Sequence, residues 1–330
     1  MMSTSRSGRR VVVVEPGYET YDTERRILAP FHAEVEPVTW DGGVDVITQA
    51  LRGADAALVR ESPVNAEALA GMASGAIVVR YGVGVDNIDL AAARERQIYV
   101  ANIPSYGVDE VSDHATALLL AVYRRIVSRD REVRDGAWGV GQKRKIYALR
   151  GGTLGIVGFG RIARRAMAKM QVFGLDRVLV HDPYLAPDAA AETEVEKVDL
   201  DTLCRESDVI TLHAPLNDET RHMINADRLA MMKPTTILVN VGRGPLVDET
   251  ALVEALRDAR LLGAGIDVFD EEPPPADHPL FALDNVVLSD HAAWYSEQSV
   301  QELQTLAAEE IARVFGGGEP KAWLNRWDAT

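Results

Sequence analysis

Cysteine occurs once in the 330 residues, at Cys204, so no intramolecular disulfide framework is available. That scarcity fits a reducing compartment, and a cytoplasmic protein is expected. Cys204 lies in Thr202-Leu203-Cys204-Arg205-Glu206 with no acid–base partner beside it, and it reads as a small packed side chain rather than a reactive thiol. Long apolar runs are missing too. Nothing approaches the ~20 residues of a membrane-spanning helix, so no membrane partner is expected. The run behind Arg6, Arg9 and Arg10 is only Val11 to Val14 before Glu15 and Pro16. A signal peptide needs an apolar region of about 7–15 residues, so a disordered lead into a first strand is expected. Positive charge is in deficit: 35 Lys and Arg against 50 Asp and Glu give a formal charge of −15. A chain this acidic repels nucleic acid and anionic lipid unless a local patch overrides the global field. The densest basic stretch, Arg124, Arg125, Arg129, Arg131, Arg134, Lys143, Arg144 and Lys145, is interleaved with Asp130, Glu132 and Asp135 and has no aromatic series. It reads as a solvated or dimer-facing surface, and no nucleic-acid partner is expected. His32, His114, His181, His222 and His278 show no metal-ligand spacing such as HExxH, so no metal is expected.

What is present is the composition of folded domains, 47% hydrophobic and 26% charged, in a chain long enough for two cores. Short β-branched runs alternate with alanine-rich amphipathic segments. Val11–Val14, Ala56–Val59, Ile77–Arg80 and Tyr99–Asn102 read as a first parallel strand series. A long helical stretch, Val108 to Arg134, interrupts it, with Ala115, Leu118, Leu119, Val122 and Ile126 near helical spacing and a stop near Gly136. A second series follows: Leu154–Val157, Arg177–His181, Val209–His213, Thr236–Asn240, Gly263–Val268 and Val286–Leu288. Its six strands suit a doubly wound sheet buried on both faces. Ser296 to Phe315 reads as one long amphipathic helix stopped at Gly316-Gly317-Gly318.

Strand Leu154–Val157 runs directly into Gly158-Phe159-Gly160-Arg161-Ile162-Ala163 and a helix-like segment. The first glycine of such a loop permits the tight turn, the second lets backbone amides approach a pyrophosphate, and the small third residue lets helix pack on strand. The helix N-terminus adds partial positive charge there. The next strand ends at Asp182-Pro183, about the 20 residues downstream where a ribose-binding acid belongs. A carboxylate at Asp182 accepts from ribose hydroxyls and repels a 2′-phosphate, so NAD is expected in preference to NADP.

Three later strand ends carry Asn240-Val241-Gly242-Arg243-Gly244, Asp267 to Pro273, and Ser289-Asp290-His291-Ala292-Ala293-Trp294. Strand ends line the ligand crevice of open parallel sheets. Arg243 can grip a carboxylate bidentately. His291 is the one residue of the three segments able to exchange a proton near neutral pH, and a carboxylate such as Glu272 would stabilise its imidazolium form.

With the glycine loop, these segments make the chain resemble the D-isomer-specific 2-hydroxyacid dehydrogenases over nearly all of residues 11 to 315. The resemblance implies an α/β architecture of two Rossmann-like doubly wound parallel-sheet domains. A flavodoxin-like substrate-binding domain would comprise 1–103 and 293–330, and an NAD-binding domain 104–292. It implies an NAD-dependent oxidoreductase interconverting a small anionic 2-oxo acid and its D-2-hydroxy acid. Arg243 would orient the substrate, His291 would be general acid/base, and Glu272 would pair with His291. Arg80 to Asp89 and His291 to Gln298 look like the C-terminal binding protein branch, in which Arg80, Val83, Gly84 and Trp294 would meet the substrate. His213, Asn217, Thr220, Val241, Gly242 and Asp267 would approach the cofactor. Arg60 stands where phosphoglycerate dehydrogenases of the family place a phosphate-binding arginine, so a phospho- or phosphono-substituted substrate is a further expectation, set against an ion pair of Arg60 with Glu61 or a neighbouring acid. The family builds a two-fold dimer from the long helix and the Gly136–Gly139 arm, so a homodimer is expected. Gly242 stands where the family has Ala or Ser. Asp290 stands where it has proline, and is expected to face solvent. Two other functions stay open: an NADH-binding scaffold, disfavoured by the lack of long flanking tails, and a dehydrogenase of a non-carbon acid such as phosphite.

Overall fold

The computed structural model describes residues 8–40, 42–139 and 145–327; the expectations for Arg6, Lys143 and Arg144 lie outside them. The chain divides into two compact units, Met1–Tyr106 with Ser296–Thr330, and Gly107–Tyr295.

The first unit is a parallel sheet of five strands, β1 (Arg9–Val14), β2 (Ala33–Val38), β3 (Ala56–Val59), β4 (Ile77–Arg80) and β5 (Tyr99–Ala101), in the order β2-β1-β3-β4-β5. Helices on both faces bury every residue of β3 and β4, which is why those strands read as unbroken apolar runs. Two expectations are corrected here. Arg9 and Arg10 belong to β1 rather than to a disordered lead: Arg10 Nε pairs with Glu36 Oε2 at 2.7 Å and Arg9 lies over the Phe315 ring at 4.2 Å. β2, unexpected from the sequence, reads Ala-Glu-Val-Glu-Pro-Val with only Val35 buried. Charge and proline on an exposed edge discourage pairing with other chains, and they also erase the apolar signal by which strands are recognised. At the other edge, Leu324 N–H donates to Val100 O at 2.9 Å, and Asn325 accepts from Val100 N–H while donating to Ile98 O. This segment covers β5, and Tyr99, Trp323 and Trp327 pack their rings together beside it.

Glu24, on the helix Asp22–Leu28, is buried. It accepts a 2.6 Å hydrogen bond from Tyr81 Oη, and Gln304 of the helix Glu297–Phe315 donates to its other oxygen at 3.3 Å. Burial outweighs these bonds and pushes the carboxyl above its ordinary value. The folded state therefore holds this proton more tightly than the unfolded chain, and stability falls as pH rises from the unfolded value through the folded one. Glu24→Gln should accordingly gain melting temperature relative to the native chain as pH rises above the ordinary glutamate value of 4.5. Calorimetry at several pH values checks it, and parallel curves for the two proteins would contradict it.

The second unit is a seven-stranded parallel sheet: β6 (Thr153–Val157), β7 (Arg177–His181), β8 (Glu196–Lys197), β9 (Val209–Leu212), β10 (Ile237–Asn240), β11 (Gly263–Ile266) and β12 (Val286–Leu288), in the order β12-β11-β10-β9-β6-β7-β8. The seventh strand, against six expected, is β8, an exposed Glu-Lys edge with no apolar residue to announce it. The long helix is also corrected: it is two, Val108–Arg124 and Ile126–Arg134, parted at Arg125 with φ +54°. Arg125 N–H closes the first helix on Val122 O at 3.0 Å. The first helix buries Ala115, Leu118, Leu119 and Val122, whereas Ile126, Val127 and Val133 of the second are exposed. No glycine or proline marks the change of face, so local propensity could not show it. Cys204 is buried among core side chains, and burial pushes its thiol up to about 12, leaving it protonated and inert. No helix among the described residues is long and apolar enough to cross a membrane.

Candidate active site

In the second unit the strand order reverses between β6 and β9, and a ligand crevice forms beyond the carboxyl ends at such a point. The loop after β6 is built for close approach. Gly158 has φ +80°, and a Cβ there would lie 2.7 Å from Ala214 N and 2.9 Å from His213 C, so a side chain is excluded twice over. A Cβ on Gly160 would meet nothing within 4 Å, and the helix Arg161–Gln171 that starts there has no side-chain cap. Open space before an uncapped helix N-terminus fits a pyrophosphate. Asp182 Oδ2 accepts from Phe159 N–H and Oδ1 from Tyr184 N–H, each at 2.8 Å. The carboxylate is thereby fixed against the glycine loop, and lone pairs remain on both oxygens for ribose hydroxyls. Beyond β9, burial pushes His213 down to about 4, so the ring is neutral at ordinary pH; its Nε2 lies 2.9 Å from Thr211 Oγ1. Asn217 and Thr220 shape the next turn: Asn217 Oδ1 accepts from Glu219 and Thr220 N–H, and Thr220 Oγ1 donates to Pro215 O. Val241 is buried, Ile162 is half-buried and Pro183 is exposed.

Strands β10, β11 and β12 are adjacent and in register, with Asn240 opposite Ile266 and Ile266 opposite Leu288. Their carboxyl ends therefore deliver Arg243, Glu272 and His291 to one edge of the sheet. Asn240 shapes the first loop by donating to Arg243 O at 2.9 Å and accepting from Gly242 N–H at 3.1 Å. Arg243 Nη1 donates to Gly242 O at 3.0 Å. A Cβ on Gly244 would lie 2.0 Å from the Phe269 carbonyl carbon and oxygen, so the Arg243 loop packs directly on the backbone leading to Glu272. Glu272 is held twice: Oε1 accepts from Phe269 N–H at 2.9 Å, and Oε2 lies 2.6 Å from His291 Nδ1. A cavity of about 560 Å³ opens here, lined by Phe269, Glu272, Pro273, Phe281, Leu288 and His291. Asp290 is exposed. Asp267 is fully buried, and its carboxylate accepts from Ser289 Oγ and from Ala292 and Ala293 N–H. Trp294 is half-buried and packs edge-on against Tyr295.

In the first unit, Arg80 is 5% exposed and is held by Glu61 and the Tyr81 carbonyl, with Gly82 leaving room for its guanidinium. Glu61 thus partners Arg80 rather than Arg60. Arg60 itself is half-buried, lies 5.8 Å over the Tyr18 ring and has no carboxylate partner among the described residues. Val83 is exposed and Gly84 half-exposed. The sequence alone assigned no role to Asn240, Gly244, His114 or Ser289. The glycine's packing and the His114–Ser289 pair depend on segments far apart in the chain, and neither leaves a local pattern.

A family model described as "D-isomer specific 2-hydroxyacid dehydrogenase, NAD binding domain" matches residues 116–293. A glyoxylate reductase of Korarchaeum cryptofilum is 41% identical over 285 residues, covering 85% of this chain and 86% of that one. A D-3-phosphoglycerate dehydrogenase of Methanocaldococcus jannaschii is 40% identical over 243 residues, 73% of this chain and 46% of its own. Among solved structures, D-lactate dehydrogenase from Aquifex aeolicus, complexed with NAD and lactic acid, aligns with a TM-score of 0.82 at 27% identity, covering 93% of this chain and 96% of that one. With an open glycine loop, a fixed Asp182 and a His–Glu pair on one sheet edge, this NAD-binding chain belongs to the D-isomer specific 2-hydroxyacid dehydrogenase family.

Proposed function

We propose that the protein reduces a small 2-oxo acid to its D-2-hydroxy acid, and catalyses the reverse, with His291 as general acid/base, Glu272 as its partner and Arg243 as the grip on the substrate. The observation that carries this reading is the 2.6 Å contact between His291 Nδ1 and Glu272 Oε2. Because Nδ1 faces a carboxylate, it carries a hydrogen, and Nε2 is left to exchange a proton with the substrate oxygen. Glu272 cannot swing away, since its other oxygen is tied to Phe269 N–H. Bound NADH would supply the hydride, held by Gly158, Gly160, Arg161, Ile162 and Asp182. His213, Asn217, Val241, Gly242, Pro183 and Asp267 are proposed to border the cofactor. Val83 and Gly84 would present backbone amides to a carboxylate, while Arg80, tied to Glu61, would hold that loop in shape. Trp294 would bound the substrate's side chain. Exposed Ile126, Val127 and Val133, with Trp138 at 88% exposure, support a homodimer formed on that surface.

A second anionic group on the substrate is favoured by one observation: Arg60 lies over the Tyr18 ring and has no carboxylate partner among the described residues. A charge-assisted hydrogen bond is worth about 1.5–3 kcal/mol, or roughly 10- to 150-fold. Arg60→Met should therefore raise KM for phosphohydroxypyruvate or phosphonopyruvate by at least about tenfold and leave glyoxylate within about twofold. NADH oxidation against these acids and hydroxypyruvate, with phosphite tested using NAD, decides both points. No preference for the phosphorylated acids over uncharged analogues would remove the Arg60 reading. Failure to turn over any 2-oxo acid would remove the function itself.

A further inference from the structure

His114 sits on the helix Val108–Arg124 and reaches the carboxyl end of β12, where its Nε2 stands 2.8 Å from Ser289 Oγ and 3.4 Å from Asp267 Oδ1. Ser289 donates its hydroxyl hydrogen to Asp267 Oδ1 at 2.6 Å. The hydroxyl oxygen therefore receives from His114, and Nε2 carries a hydrogen whether or not the ring is charged. Asp267 passes this order on to the turn that contains His291. Its carboxylate accepts from Ala292 N–H at 3.0 Å and Ala293 N–H at 3.1 Å, and its carbonyl accepts from His291 N–H at 2.8 Å.

This clamp has a reason to exist. His291 has φ +56°, a left-handed backbone that a residue with a side chain adopts only where its surroundings over-determine it. Contacts on both sides of His291 come from one residue, Asp267, which is fully buried and would be costly to leave short of donors. Burial alone would raise the Asp267 carboxyl, yet hydrogen bonds from Ser289 and Ala293, with the His114 ring 3.4 Å away, hold it below the usual carboxylate range. The side chain of His114 is 28% exposed, so it supplies the last hydrogen bond of this chain from the solvent side.

We propose that His114 is a positioning residue, which acts through Ser289 and Asp267 to hold the left-handed turn that aims His291 at the substrate. The proposal rests on the reading of His291 as general acid/base. Loss of the His114 bond frees the Ser289 hydroxyl to turn away from Asp267, and the 291–293 turn loses a fixed anchor. A misplacement of about 1 Å can cost 10²-fold in rate. With NADH and glyoxylate, His114→Leu should lower kcat by about 10- to 100-fold and change KM less than about threefold. His114→Gln, whose amide nitrogen reaches the same point as Nε2, should recover most of that loss. Ser289→Ala should resemble His114→Leu, and serves as the second variant if the leucine chain does not fold. Amide hydrogen exchange at His291, Ala292 and Ala293 gives a reading that needs no turnover: it should quicken in His114→Leu and Ser289→Ala and be restored in His114→Gln. Quickened exchange in a chain whose native form reduces no 2-oxo acid would support the positioning and sink the proposed function. Unchanged exchange, kcat within twofold of native in His114→Leu, or glutamine no better than leucine would overturn the proposal.

Discussion

His291→Gln should lower kcat for 2-oxo acid reduction by about 10²- to 10⁴-fold, the range that a positioned general acid/base contributes. Glutamine keeps a donor that can face Glu272, so the turn and its partner stay in place, but its amide has no proton to exchange near neutral pH. NADH affinity, read by fluorescence titration, should change little, because the pyrophosphate and ribose contacts proposed at Gly160 and Asp182 lie on β6 and β7, whereas His291 follows β12. Retention of kcat within about tenfold would contradict the assignment of His291 as the proton donor. A loss of NADH binding equal to the loss of rate would instead mean that the substitution disturbs the cofactor crevice.

Gly244→Ala should be nearly as damaging without touching an ionisable group. Its Cβ would lie 2.0 Å from the Phe269 carbonyl carbon and oxygen and 2.5 Å from Asp270 N, all backbone atoms that cannot rotate aside. Either the Arg243 loop or the strand end leading to Glu272 must move. Overpacking of this kind costs about 1–3 kcal/mol of stability, and displacement of Arg243 relative to Glu272 should lower kcat/KM by about 10²-fold. Gly242→Ala is the control: its Cβ would meet chiefly Leu246 Cδ1 at 3.0 Å, the tip of a flexible side chain, and nothing else nearer than 3.5 Å. Near-native activity is expected there, as the alanine or serine of the resembling family implies. Thermal unfolding with kcat/KM for both variants checks the pair. Equal behaviour of the two would show that the Gly244 contact does not constrain the site.

Much of this molecule was legible along the chain. The buried strands were found because helices on both faces make them continuously apolar, and the glycine loop with Asp182 was found because both lie in one βαβ unit, where spacing alone places the acid near the turn. Arg243, Glu272 and His291 drew attention as unusual residues at successive strand ends, and the resemblance supplied their proposed roles; the structure brings Glu272 and His291 into contact. The edge strands β2 and β8 escaped because an edge must be polar to stay unpaired, which removes the feature by which strands are read. The break at Arg125 escaped because it follows from which faces of two helices are buried, and no glycine or proline records it. By itself the sequence determined the alternation of strand and helix and the glycine loop after β6, since these depend on local periodicity and on residue identity. Tertiary structure alone decided that Glu61 takes Arg80 and leaves Arg60, that Gly244 abuts Phe269, and that His114 reaches Ser289 across 175 positions. Hydrogen-bond and ion-pair partners are selected by distances of a few tenths of an ångström, and those exist only once the strand ends have been brought side by side.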